Sequence, residues 1–193
     1  MAQIPPFEQD KLNLRAKKFM MWLFIVTSFI LFAGLTSAFI VYTAGNPNRG
    51  IKIILPQLFI YSTAVIILSS VALHMAYYYA KRMQLMKQKV YLLATIVLGI
   101  LFFVMQLGAW QTLIDQGVYF VNQNASQSFI YVFTGMHLLH ILAGLVMVIN
   151  SYAGAVKRIP QLKNIFRLEV TSIFWHFIDI LWIYLYVFLL LNQ

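Results

Sequence analysis

Six ionisable residues fall within or at the edge of the long apolar stretches of this sequence: His74, His137, His140, His176, Asp179 and Glu169. Ionisable groups at bilayer depth are costly, so they mark proton paths or interhelical hydrogen bonds. Glu169, Ser172, His176 and Asp179 follow spacings of three, four and three, which puts them on one stripe of a helix. Two readings of that stripe are open. One is a proton-collecting or relay line starting at the membrane surface. The other, favoured on residue chemistry, is a set of interhelical hydrogen bonds holding a bundle together. Glu169 also has a local explanation, because it precedes an apolar run where a helix N-terminus favours negative charge.

His137 and His140 share a helix face with Gly144, one turn beyond His140, where a missing side chain lets another backbone approach closely. Two histidines three apart could ligate a metal. No carboxylate neighbours them, however, and a third ligand would have to come from elsewhere. A haem needs axial ligands on different helices at similar depth. At 1.5 Å per residue, His74 and His176 lie roughly 8 and 9 Å from the inner ends of their apolar runs and His140 roughly 18 Å, so only His74 and His176 match. Cysteine is absent, which excludes disulfides, iron-sulfur clusters, thiolate zinc sites and a cysteine-ligated dinuclear copper centre.

The elements that must carry these residues are apolar helices. Of the 193 residues 62% are hydrophobic and 10% charged, well above the roughly 45 to 50% apolar share of soluble proteins. Five runs, at 19–42, 58–79, 90–113, 129–152 and 170–191, are each long enough to cross a hydrocarbon core about 30 Å thick. The fold class read from them is an all-α integral membrane protein, with residues 1–18 as a cytoplasmic segment and 19–193 as one five-helix membrane domain. The first 18 residues hold Glu8, Asp10, Lys11, Arg15, Lys17 and Lys18 and no apolar core, so no removable signal peptide is expected. The connection at 43–57 contains Gly45, Asn46, Pro47, Asn48, Gly50 and Pro56, breakers that belong outside the bilayer.

The net charge of +9 is topogenic, because the basic residues sit between apolar runs instead of forming one patch; a nucleic-acid partner is not indicated. Lys and Arg number four before the first run, two in the first connection, four at 81–89, none at 114–128 and four at 157–167. Alternate segments therefore hold twelve against two. By the positive-inside rule the N-terminus is cytoplasmic and the C-terminus lies on the opposite, periplasmic side.

At residues 174–182, FWHFIDILW, the sequence resembles the terminal-helix signature of subunit III of the haem-copper terminal oxidases, in which a Trp-His-Phe-x-Asp segment is characteristic; here it is Trp175, His176, Phe177 and Asp179. Residues 135–144, GMHLLHILAG, resemble the family's preceding-helix motif, and Glu169 falls at the spacing of its glutamate before Trp-His. Residues 21–42, 69–82 and 106–110 extend the likeness over nearly the whole chain. Two departures matter: the membrane-embedded glutamate of longer members falls at Ser28, and the glutamate of their Gln-x-x-Glu-Tyr segment falls at Ala109. Proton roles tied to those glutamates do not carry over.

The resemblance is to the short, five-helix bacterial form. It implies an accessory, non-catalytic subunit in the bacterial inner (plasma) membrane, packed with the catalytic haem-copper subunit I and the copper-bearing subunit II. Such a subunit supports stability during turnover, and proton uptake or oxygen access, without haem or copper of its own; bound phospholipid and a larger respiratory supercomplex are compatible with it. His137, His140, Gly144, Glu169, Trp175, His176 and Asp179 become structural, lipid or subunit-interface candidates, with no catalytic, cofactor or metal residue among them. An aa3-type cytochrome c oxidase is favoured over the quinol-oxidase branch. The readings from other classes are a stand-alone carrier or channel, and a cytochrome b resting on His74 and His176.

Overall fold

The computed structural model describes residues 6–44, 50–51, 55–121 and 124–192, with side chains from residue 14 onward. The side chains of Glu8, Asp10 and Lys11, the breakers Gly45 to Asn48, and Arg49, Lys52 and Gln193 lie outside the described residues. The described chain forms α1 (Pro6–Thr43), α2 (Leu58–Lys81), α3 (Leu85–Asp115), α4 (Ala125–Val156) and α5 (Gln161–Leu191). All five are long and apolar enough to cross a membrane, α1 through its residues 14–43.

The helices outrun the apolar stretches that announce them. α1 starts at Pro6, inside the segment assigned to residues 1–18; proline suits a first helical position because its missing N–H would be unpaired there anyway. α5 starts at Gln161, not near residue 170. Its first turns are amphipathic, with Asn164 and Leu168 buried and Lys163 and Arg167 exposed, a pattern that hydropathy reads as a connection. At 31 residues α5 is about 46 Å long, well beyond the hydrocarbon thickness.

Helices α2, α3, α4 and α5 pack as a four-membered bundle in cyclic order, and α1 lies against the α4/α5 edge. Their up-and-down course is visible at the ends. The Gln88 and Asn164 amides exchange two hydrogen bonds of 3.1 and 3.2 Å, joining the starts of α3 and α5. Gln161 Nε2 donates to the Ala80 carbonyl at the end of α2. The Ala125 N–H donates to the Tyr42 hydroxyl, joining the end of α1 to the start of α4. α2 and α4 end on left-handed residues that are not glycine, Met83 (φ 61) and Arg158 (φ 50). Each is followed by an N–H reaching back to an orphan carbonyl, Gln84 to Tyr79 and Ile159 to Gly154.

Lipid tails are as apolar as leucine, so close packing and hydrogen bonds, more than apolar burial, hold such helices together. The core is accordingly aromatic and tightly filled. Trp175, Trp182, Phe102, Phe133 and Phe174 are each at most 1% exposed, and apolar side chains such as Phe29, Val41, Val97 and Leu139 cover the outside.

Candidate functional site

The stripe expected on α5 is divided between two neighbours. Glu169 lies in the third turn of α5, too far from the first residue, Gln161, to be explained by the helix N-terminus. Its carboxylate instead pairs with Lys18 Nζ of α1 at 2.6 Å. His176 turns to α2, with Nδ1 2.5 Å from the Ser70 hydroxyl and its ring 6.3 Å from that of His74. Asp179 is buried beside Ser70, yet neither carboxylate oxygen has a well-formed hydrogen bond. Ser172 is buried. The indoles behave similarly: Trp175 Nε1 donates to Ser69 at 3.0 Å and Trp182 Nε1 to Thr63 at 2.9 Å, so α5 is fastened along the length of α2.

His137 and His140 do not act as a pair. His140 faces α1, with Nδ1 2.7 Å from the Met136 carbonyl and Nε2 3.2 Å from the Ser28 hydroxyl. A carbonyl only accepts, so Nδ1 carries a proton, and Nε2 shares its hydrogen bond with the Ser28 hydroxyl. His137 is fully buried toward the other side, against Trp182 and Phe102 with ring centroids 5.0 and 5.9 Å away. Neither of its ring nitrogens has a partner. Three residues apart on a helix leaves about 60° between them, enough to aim the two rings at different helices.

At Gly144 the close neighbours are side chains, not a second backbone: a Cβ there would meet Ile178 Cδ1 and Trp175 Cε3 at 3.0 Å. Gly99 on α3 meets the far edge of the same indole, with Cη2 2.9 Å from its would-be Cβ. Trp175 thus fills a slot between two glycines while its N–H is held by Ser69. Near the starts of α1 and α5 and the end of α4 a depression of about 540 Å³ opens, with Lys17, Arg167 and Asn150 at its polar side and Met21 and Met147 at its apolar side.

Residues 11–192 match the family model for cytochrome c oxidase subunit III. The chain belongs to that family. Subunit 3 of the cytochrome bo(3) ubiquinol oxidase of Pseudomonas aeruginosa is 31% identical over 165 residues, covering 84% of this chain and 78% of the relative. Cytochrome c oxidase subunit 3 of Bacillus subtilis is 27% identical over 190 residues, covering 96% and 91%. The protein of the same name from mouse is 28% identical over 179 residues, 86% of this chain and 66% of the relative.

As a subunit III, the chain is part of a multi-subunit membrane oxidase. Among its described residues no group of three or more His, Cys, Asp or Glu could hold a metal. The candidate residues fall on helix contacts: Glu169 on α1, His140 on α1, Trp175 and His176 on α2, Gly144 on α5. Their partners were not apparent from sequence. Lys18, Ser28, Ser69 and Ser70 lie 151, 112, 106 and 106 positions away from the residues they bond. The signal for Ser69 and Ser70 was their polarity inside an apolar run, and Ser28 stood out as the position of the longer members' embedded glutamate.

Proposed function

We infer that this protein is the non-catalytic subunit III of an aa3-type cytochrome c oxidase in the bacterial inner membrane, stabilising catalytic subunit I beside the copper-bearing subunit II. The observation that carries this reading is the use to which the family-motif side chains are put. Glu169, His140, Trp175 and His176 each bond a side chain of another helix, which builds a rigid bundle, not a chain of acids and bases. Haem and copper then belong to the partner subunits. A cytoplasmic N-terminus is supported by the described basic residues, which gather at the end of the bundle that holds the starts of α1, α3 and α5. The depression lined by Lys17 and Arg167 suits a phospholipid headgroup, its acyl chains running along Met21 and Met147.

A second reading, subunit III of a ubiquinol oxidase, is favoured by the name and 31% identity of the Pseudomonas aeruginosa relative. Purifying the tagged chain in mild detergent tests both. A haem-bearing subunit is expected to co-purify, and the complex to oxidise reduced cytochrome c; oxidation of ubiquinol alone selects the second reading. Stoichiometric iron or copper retained by the isolated chain would overturn the accessory role.

A further inference from the structure

The α2/α5 surface holds a polar patch that the chain itself leaves incomplete. α2 has 24 residues and is about 36 Å long, so each end clears the hydrocarbon by only about 3 Å. His74 lies seven residues, about 10 Å, before the terminal Lys81, hence below the headgroups, and it is exposed. Among the described residues no hydrogen bond reaches either of its ring nitrogens. Half-buried His176 stands beside it with Nδ1 occupied by Ser70, while Asp179, beside the same serine, is buried inside the bundle. An imidazole whose ring nitrogens face lipid tails is costly.

The patch continues along α5. Ile180 and Tyr184 lie one and two turns beyond His176 on the same stripe. They line an apolar slot of about 250 Å³ whose other wall is Phe29, Phe32 and Ala33 of α1. Unpaired imidazole nitrogens at one level and an apolar slot a turn away suit a helix carrying one polar side chain. An acyl chain offers no hydrogen-bonding group, and a headgroup would have to sink several Å to reach His74.

We propose that this face of α5, between His74 of α2 and Phe29 of α1, seats a transmembrane helix of another oxidase subunit, which supplies a hydrogen-bonding side chain at the level of His74 and His176 and an apolar side chain to the slot. The proposal rests on the reading of the chain as an accessory subunit. It names the face by which that subunit docks.

The test places the photo-crosslinking residue benzoylphenylalanine at position 74 and, separately, at position 180, in the chain expressed with its native complex. The Ile180 position is 67% exposed and leaves every polar group of the patch intact. After illumination of membranes, adducts are identified by mass in the purified complex. An adduct with a different oxidase subunit at either position is the expected result. If haem-bearing subunits co-purify but both positions yield only phospholipid adducts, or adducts with a second copy of this chain, the docking face is wrong and the accessory reading stands. If no haem-bearing subunit co-purifies, both fall.

Discussion

The indole of Trp175 shows how a single residue unites this bundle. Its N–H is fixed by Ser69 of α2, its far edge lies against Gly99 of α3, and its near edge lies against Gly144 of α4. A pinned ring cannot give way, so Gly99→Ala is expected to destabilise the chain by about 1 to 3 kcal/mol, the usual cost of overpacking. Gly34→Ala, whose Cβ meets nothing within 4 Å, should stay within about 0.5 kcal/mol of the parent. The check is the midpoint of an SDS titration in both the native and the Trp175→Ala background. An equal penalty for Gly99→Ala in the two backgrounds would show that the ring is not the constraint. Trp175 and Gly144 stood out in the sequence because the two motifs carry them, but Gly99 had no motif around it. His137 and His140 looked equivalent by spacing, and only the positions of α1 and α3 separate them. What was legible was residue type and face. Which neighbour that face meets depends on bundle order, which no local pattern encodes.

Among the elements, α1 is held differently from the rest. Among the described residues it packs chiefly on α4 and α5, by the Lys18–Glu169 ion pair near its start, His140 and Ser28 midway, the Thr36 and Tyr184 hydroxyls 3.0 Å apart, and Phe39 packed among Phe129, Phe133 and Phe188. The ion pair is 39% and 33% exposed, and exposed pairs contribute about 0 to 1 kcal/mol. Phe39 is fully buried. Removing a buried Phe from a soluble core costs about 3 to 5 kcal/mol, but lipid replaces much of the transfer part, leaving about 2 kcal/mol of packing. Phe39→Ala should therefore shift the SDS-denaturation midpoint more than Lys18→Met does. A larger effect of Lys18→Met would mean that charge, not ring packing, anchors α1. The number of helices was readable from apolar runs of membrane-spanning length. Their ends were not, because the amphipathic turns at 161–169 and the polar turns before residue 19 carry the composition of connections while keeping helical hydrogen bonds.

For the whole molecule the decisive asymmetry is charge. The described basic side chains, from Arg15, Lys17 and Lys18 through those at 81–89 to Lys157 and Arg167, sit at the end where α1, α3 and α5 begin. Several are placed over aromatic rings: Lys81 Nζ is 4.3 Å from the Tyr77 ring centroid, the Arg82 guanidinium carbon 4.3 Å from that of Tyr78, and Lys87 Nζ 5.1 Å from that of Tyr79. Rings at a membrane interface anchor at headgroup level, and cations over them are held there too. Lys and Arg flanking a span resist translocation, so twelve such residues against two should orient the bundle in one direction. A green fluorescent reporter, which matures in the cytoplasm but not when exported unfolded, is expected to fluoresce when inserted in the 82–84 connection and to stay dark when fused after Gln193. Alkaline phosphatase, active only outside, should give the reverse. The lever can also be pulled deliberately. The 116–124 connection holds no Lys or Arg, so adding four lysines there while neutralising Lys81, Arg82, Lys87 and Lys89 inverts the bias across α3 and leaves eight basic residues against six overall, and a mixture of orientations should appear in both reporters. If the wild-type chain already gives both signals at either position, or gives them reversed, then charge does not set its direction, and the face that meets the cytoplasm must be determined by assembly with the partner subunits.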